Sequence, residues 1–177
     1  PAASNIGVPV VLKAGGIAHK TDAGGVMLNL TTPEETQAAA DAMSAITSDL
    51  LIEEMITGAV CELIVGVTRD PQFGLALVIG AGGILTELLA DSATILLPAS
   101  RTDIASALTS LKVSRLIDGY RGKAGDLAAT LDAIEIIAQF ASDNAATLEE
   151  LDINPLMVLA PGKGAIAVDA LVRTRQI

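Results

Sequence analysis

The chain has 177 residues and a mass of 18.0 kDa, the length of one domain or two small lobes; 51% of residues are hydrophobic, 18% are charged and mean hydropathy is +0.55, which supplies a core and argues against disorder. Eleven Lys and Arg stand against 21 Asp and Glu, a formal net charge of −10, and with no Trp, one Tyr and two Phe there is neither a basic groove nor a stacking platform, so nucleic acid is set aside as a partner. A lone cysteine, Cys61, cannot close an internal disulfide, no charged leader followed by an apolar core opens the sequence, and the longest uncharged run, Pro71 to Thr86, is broken by Gly74, Gly80, Gly82 and Gly83 well short of the roughly 20 apolar residues of a membrane helix; the expectation is a cytoplasmic protein with no membrane span.

Val8 to Ala14 is a β-branched apolar run that ends in a lysine, Gly15 to Gly25 reads as a polar glycine-containing loop, and Val26 to Leu30 as a second strand. Thr32, Pro33 and Glu35 supply an N-cap, a first-turn proline and a capping-box acid, so a helix is expected over about Pro33 to Ile46. Leu50 to Met55, Glu62 to Arg69 and Leu75 to Gly80 read as strands of an antiparallel sheet, the last two joined by a turn at Asp70 to Phe73. Ile84 to Leu89 and Ala93 to Leu97 look like two further short strands after the Gly80 to Gly83 interruption. Ser100 and Asp103 form a second capping box, opening a helix over about Arg101 to Lys112. Leu127 to Ser142 carries apolar residues at three- and four-residue spacing, the pattern of a half-buried helix. Leu156 to Ala160 and Ala165 to Ala170 flank Pro161 to Gly164 and are expected to pair as a hairpin.

A four-residue turn at 161 to 164 pairs Ala160 with Ala165, and therefore Leu156 with Asp169 and Asn154 with Leu171. Asn154 and Asp169 then share a face as diagonal neighbours about 7 to 8 Å apart, with Asp152 on the same side if the strand extends that far. Such oxygen ligands suit magnesium, which leaves its remaining positions to water and phosphate. The residues equally fit a plainer arrangement in which Asp152 and Asn154 cap a turn before Pro155 and Asp169 is a solvated strand residue. Lys13 emerges at a strand end beside the loop holding His19, Lys20, Asp22, Gly24 and Gly25, where glycine amides and lysines can meet a phosphate; a snorkelling lysine beside a simple connection is the competing reading. His19 is the only histidine, which excludes a multi-histidine metal site and leaves it as a candidate phosphoryl carrier or an exposed loop residue. Cys61 lies within a strand with no base nearby in sequence and reads as a buried structural thiol. Glu53, Glu54 and Met55 leave a strand where backbone can line an adenine pocket, and Glu62 can accept from ribose hydroxyls; an exposed strand acid is the alternative for each glutamate.

Taken in order, VPVVLKAGGIAHKTDAGGVMLNL, LIEEMITGAVCELIVGVTRDPQFG, GAGGILTEL, GYRG and ELDINPLMV with AIAVDA resemble the ATP-grasp domain of ADP-forming acyl-CoA synthetases, the acetate-CoA ligase type, relatives of the succinyl-CoA synthetase β subunit. The resemblance runs over nearly the whole chain. It implies an α+β ATP-grasp fold of two lobes with mainly antiparallel sheets and flanking helices, over residues 1–177, with a first lobe of about 1–50 and a second of about 51–177. It implies ATP or ADP and Mg2+ as cofactors, with His19 as phosphoryl carrier, Lys13, Lys20, Gly24, Gly25, Glu53, Glu54, Met55 and Glu62 around the nucleotide, and Asn154 and Asp169 on the metal. The implied partners are CoA-binding and CoA-ligase domains of the same enzyme, in the same chain or a separate subunit, with an oligomer also compatible; this domain alone is expected not to complete the reaction. Against the family pattern, upstream helices of the first lobe are missing and few residues separate Ile46 from Leu50, so a fragment is expected. The alternative is a regulatory synthetase-like module of a fused protein lysine acetyltransferase, and a different ATP-grasp ligase fits the His19 loop less well.

Overall fold

The computed structural model describes residues 5–15, 24–45, 47–83 and 90–175. The expected strand at Ile84 to Leu89 and the loop residues His19 and Lys20 lie outside them. The chain divides into two compact units, Pro1–Thr57 and Gly58–Ile177.

In the first unit, β1 (Val10–Ala14) runs between β2 (Val26–Leu30) and β3 (Leu50–Glu54), antiparallel to both. Leu50–Glu54 therefore does not share a sheet with the two strands after it; its partner is β1, with Leu12 opposite Ile52 and Lys13 opposite Leu51. Helix α1 (Pro33–Met43) begins at Thr32, whose side chain accepts from the Glu35 N–H while the Glu35 carboxylate accepts from the Thr32 N–H. It ends three residues before Ile46, and lays Ala39 and Met43 on Leu12, with Met27, Leu30, Leu50 and Ile52 around them. Because side chains alternate along a strand, Leu12 in the core puts Val11 and Lys13 on the opposite face, together with Leu51 and Glu53.

The second unit is a six-stranded antiparallel sheet, formed by β4 (Cys61–Asp70), β5 (Gly74–Ala81), β6 (Ser92–Leu96), β7 (Leu148–Val158), β8 (Ala165–Ala167) and β9 (Ala170–Thr174). The order is β6-β5-β4-β7-β8, and β9 also pairs with β7. The β4 to β5 turn closes as its composition requires: Asp70 Oδ1 accepts from the N–H groups of Gln72 and Phe73 at 2.7 and 2.8 Å, and Gly74 takes φ +84. Three helices follow the β-hairpin strands, α2 (Arg101–Ser110), the single turn α3 (Ser114–Ile117) and α4 (Leu127–Asp143). Ile104 and Leu108 of α2 and Ile134, Ala138 and Ala141 of α4 cover one face of the sheet, packing on Leu63, Val65, Leu77, Ile79, Leu151 and Leu156. Asp126 caps α4 by accepting from Ala129 and also accepts from Gly162 and Gly164, so the turn before β8 is tied to the helix start; these donated N–H groups hold its carboxyl below the ordinary range. Among the described residues, no helix is long and apolar enough to cross a membrane.

The final hairpin differs from expectation in register and extent. Val158, not Ala160, faces Ala165, because the connection spans 159 to 164 and Leu159 donates to the Gly164 carbonyl at 3.0 Å. The pairings from Glu150 to Val158 shift by two residues, so Leu156 faces Ala167 and Asp152 faces Leu171. The strand before the turn begins at Leu148 and carries the DINP sequence within it, so Asp152 and Asn154 belong to a strand and do not cap a turn. The strand after it is interrupted at Val168 and Asp169 and resumes as β9.

The core makes a stability prediction. Leu77 is fully buried whereas Leu96, on the edge strand, is 52% exposed. Leu77→Ala is expected to cost about 2–5 kcal/mol, and Leu96→Ala within about 0.5 kcal/mol, in urea unfolding followed by circular dichroism.

Candidate functional site

The face of the first unit's sheet opposite α1 carries an ion pair. Lys13, on the central strand, is 8% exposed, and its Nζ lies 2.5 Å from Glu53 Oε2. The two residues are diagonal across the β1 and β3 ladder, since Lys13 faces Leu51 and Val11 faces Glu53. A compact ammonium held this way is a preset point contact for an anion. Glu53 and Glu54 are the last two residues of β3 and do not lie beyond it, and the Met55 N–H is donated to the Pro9 carbonyl at 3.0 Å. Met55 therefore offers a ligand its carbonyl and side chain. Gly24 takes φ +69, and the Gly25 carbonyl accepts from Ala14 at 2.8 Å, which ties the end of the loop to the strand bearing Lys13.

In the second unit the face of the sheet opposite α2 and α4 holds the other candidates. Along β4, Cys61, Leu63, Val65 and Val67 point into the core, so Glu62, Ile64, Gly66 and Thr68 point to the opposite side. Glu62 is half-buried and crowded by the GAGG segment: Gly82 donates to its carbonyl at 2.8 Å, and a methyl on Gly83, where φ is +62, would fall 2.7 Å from Oε2. The sequence reads Gly82 and Gly83 as a break in the apolar run and as part of the GAGGILTEL motif; their close passage over Glu62, on the strand paired with β5, is long-range and is not announced by the sequence. Gly66 lies opposite Asp152, whose Oδ1 occupies the space near a missing side chain, 3.9 Å from where a Cβ would stand.

Asn154 and Asp169 come together more closely than the diagonal arrangement implied. The Asn154 N–H donates to the Asp169 carbonyl at 3.3 Å, so the two are direct cross-strand neighbours, Asn154 exposed and Asp169 half-buried. Asp169 Oδ1 also accepts from the Ala170 N–H at 3.0 Å. Asp152 sits two residues before Asn154 on the same face; burial first, then the charges of Glu150 and Asp169, push its carboxyl above the ordinary range. An amide oxygen and a carboxylate with crowded acids beside them form a hard-oxygen donor set that suits magnesium, with water and phosphate completing the coordination. Among the described residues no group of three or more His, Cys, Asp or Glu is arranged to hold a metal. His19, Lys20 and Asp22 lie outside the described residues.

Each unit lays helices on one face of an antiparallel sheet and leaves polar candidates on the other. The ATP-grasp domain family matches residues 1–174. Acetate–CoA ligase [ADP-forming] II subunit beta of Pyrococcus furiosus is 33% identical over 96% of this chain and 77% of its own length, and 4-hydroxybutyrate–CoA ligase [ADP-forming] of Nitrosopumilus maritimus is 36% identical over 97% of this chain and 26% of its own. Among solved structures, acetyl-coenzyme A synthetase 1 of Ca. Korarchaeum cryptofilum, in complex with coenzyme A and Mg-AMPPCP and with its phosphohistidine segment pointing towards the nucleotide-binding site, superposes with a TM-score of 0.85 at 33% identity, covering 98% of this chain and 80% of that one. This chain belongs to the ATP-grasp domains of the ADP-forming acyl-CoA ligases. That membership favours the ligase reading over the acetyltransferase-fused regulatory one. The chain spans about three quarters of the two-subunit relative's beta chain and about a quarter of the single-chain ligase.

Cys61 gives a check on the side of β4 that faces away from Glu62. Burial, reinforced by the neighbouring Glu62 charge, pushes its thiol up to about 11, so at pH 8 it is almost entirely protonated as well as enclosed. Alkylation by iodoacetamide at pH 8 is expected to be at least about tenfold slower in the native protein than in urea, measured by intact mass.

Proposed function

We propose that this chain is the nucleotide-binding module in which an ADP-forming acyl-CoA ligase passes a phosphoryl group between a phosphohistidine of its CoA-ligase portion and ADP. The overall reaction converts acyl-CoA, ADP and phosphate into acid, CoA and ATP. In the step assigned here, the phosphohistidine P–N bond breaks as a P–N bond to the His19 imidazole forms. That bond then breaks as a terminal β-phosphate oxygen of ADP takes the phosphoryl group, which yields ATP and returns His19 neutral. Lys13, with Lys20, Gly24 and Gly25, neutralises and cradles phosphate; Glu53, Glu54 and Met55 line the base and Glu62 accepts from the ribose. Asn154 and Asp169 would hold Mg2+, which when bound supplies charge neutralisation of the phosphates. The observation that carries this reading is the direct backbone pairing of Asn154 with Asp169, which brings an amide and a carboxylate together beside Asp152.

Calorimetric titration of Mg-ADP into the complete ligase tests it. Asp169→Ala is expected to weaken binding at least tenfold, about 1.4 kcal/mol, and Lys13→Ala comparably. His19→Ala is expected to leave Mg-ADP affinity within about twofold while ATP formation falls by at least about a hundredfold. Unchanged affinity in Asp169→Ala, with the protein folded, overturns the metal assignment. Full turnover in His19→Ala overturns the relay.

A further inference from the structure

The described cations fall into two groups. Lys13, Arg69, Arg101, Arg173 and Arg175 each sit in an ion pair with a glutamate or aspartate. Lys112, Arg115, Arg121, Lys123 and Lys163 are all exposed, and among the described residues none of them has an ion-pair partner. Four of these five lie within residues 112–123, where Asp118 is the only acid, in a chain whose net charge is −10. The fifth is brought alongside by the backbone. Asp126 accepts from Gly162 and Gly164 on either side of Lys163, and the Asp126 N–H donates to Leu159. Two further acids reach this segment, and both are engaged by backbone N–H groups: Asp91 accepts from Val113 at 2.9 Å, and Asp126 accepts from Ala129, Gly162 and Gly164.

At the centre of the patch the GYRG turn is held in a costly shape. Arg121 takes φ +53, a left-handed conformation unusual for a residue with a side chain, and Gly119 takes φ +89. The Tyr120 N–H donates to the Arg115 carbonyl at 2.8 Å, and the Arg121 guanidinium lies 5.5 Å from the Tyr120 ring centre. Tyr120, the chain's single tyrosine, is 57% exposed. A stacked tyrosine and arginine presented to solvent on a rigid turn are the residue types that dominate protein interfaces. The turn does not suit a small phosphate, because the N–H groups of Tyr120, Gly122, Gly162 and Gly164 are already donated to the protein itself.

We propose that residues 112–123 with the 159–164 turn form a docking surface for an acidic protein surface on the remainder of the ligase. This rests on the ligase reading above, and on relatives of which this chain matches about a quarter, so that further polypeptide accompanies the module there. The cations steer and select an acidic face, and Tyr120 with Arg121 anchors it.

Zero-length carbodiimide coupling of the complete ligase, read by mass spectrometry, tests the assignment, since it joins lysine amines only to touching carboxylates. The expected products link Lys112, Lys123 or Lys163 to Asp or Glu outside these 177 residues. Their yield is expected to fall at least tenfold in 1 M NaCl and in Arg115→Glu/Arg121→Glu, which keeps all three reporting lysines. Links confined to these 177 residues, links joining two copies of this chain, or no links at all overturn the proposal, as does a yield indifferent to both salt and the double variant. Mg-ADP affinity measured on the same preparations serves as the fold control and is expected to be unchanged in the variant. Failure of the enzyme to bind Mg-ADP strikes the functional reading, whereas normal binding without these links strikes the docking surface alone.

Discussion

The alternation of core and site residues along β4 constrains everything else in the second unit. Cys61, Leu63, Val65 and Val67 must meet the helices, which commits Glu62 and Gly66 to the other face. A slip of one residue would drive the Glu62 carboxylate into a core of Leu77, Ile79, Ile104 and Ile134 while exposing Leu63 and Val65. Because β4 pairs on both sides, its register is inherited by β5 and β7. Leu63 opposite Leu156 and Val65 opposite Ile153 keep β7 in step with the core across the irregularity at Asn154 and Pro155, and the same pairing sets Asp152 over Gly66. Hydrophobic burial thus places polar groups that contribute nothing to that burial.

Room for those polar groups comes from glycine. Gly66 leaves the space that the Asp152 side chain leans into, and Gly82 and Gly83 let the chain after β5 pass tightly over Glu62. At Gly83 both requirements coincide, a positive φ and no space for a methyl beside the carboxylate. The helices are governed differently. Each of α1, α2 and α4 starts on a side chain that accepts from its first turn, so their starts are set locally and independently of the sheet.

This difference explains what could be read in advance. Thr32 with Glu35 and Ser100 with Asp103 announce helix starts because a cap is a contact between residues three apart, and both boxes form as the spacing implies. The antiparallel β4 and β5 hairpin is equally legible, since Asp70 closes its own turn. Long-range partners are not. Leu50 to Glu54 looks like any strand, and only the packing of Ile52 against Leu12 and Met43 assigns it to β1. The length of β7 is hidden because Glu149, Glu150, Asp152 and Asn154 lower its apolar character, and because the irregularity between Leu148 and Glu150 breaks the alternation that Leu151 and Ile153 otherwise keep with Asp152. β9 is hard to read because all five of its residues are exposed, so no apolar alternation marks it; its pairing rests on backbone hydrogen bonds and the exposed Arg173–Glu150 ion pair. The two-residue error at the last hairpin came from counting only Pro161 to Gly164 as turn; Leu159 and Ala160 belong to it because Asp126 draws Gly162 and Gly164 towards α4. Asn154 and Asp169 still share a face, since a shift of two preserves parity.

The charge distribution bears on how an anion is received. The face of the second unit opposite α2 and α4 carries Glu62, Glu150 and Asp152, and burial, with the charges of Glu150 and Asp169, raises the Asp152 carboxyl. In the first unit the Lys13 ammonium already faces Glu53, so part of its charge is spent within the protein. On the proposed reading, a nucleotide carrying three or four negative charges would meet repulsion from these acids. A divalent ion would remove that imbalance twice over, relieving the crowding of the carboxylates and neutralising the phosphates in the same event. Acid excess and metal dependence would then be one property of the proposed site: the carboxylates that repel free nucleotide would make it receptive to nucleotide arriving with magnesium.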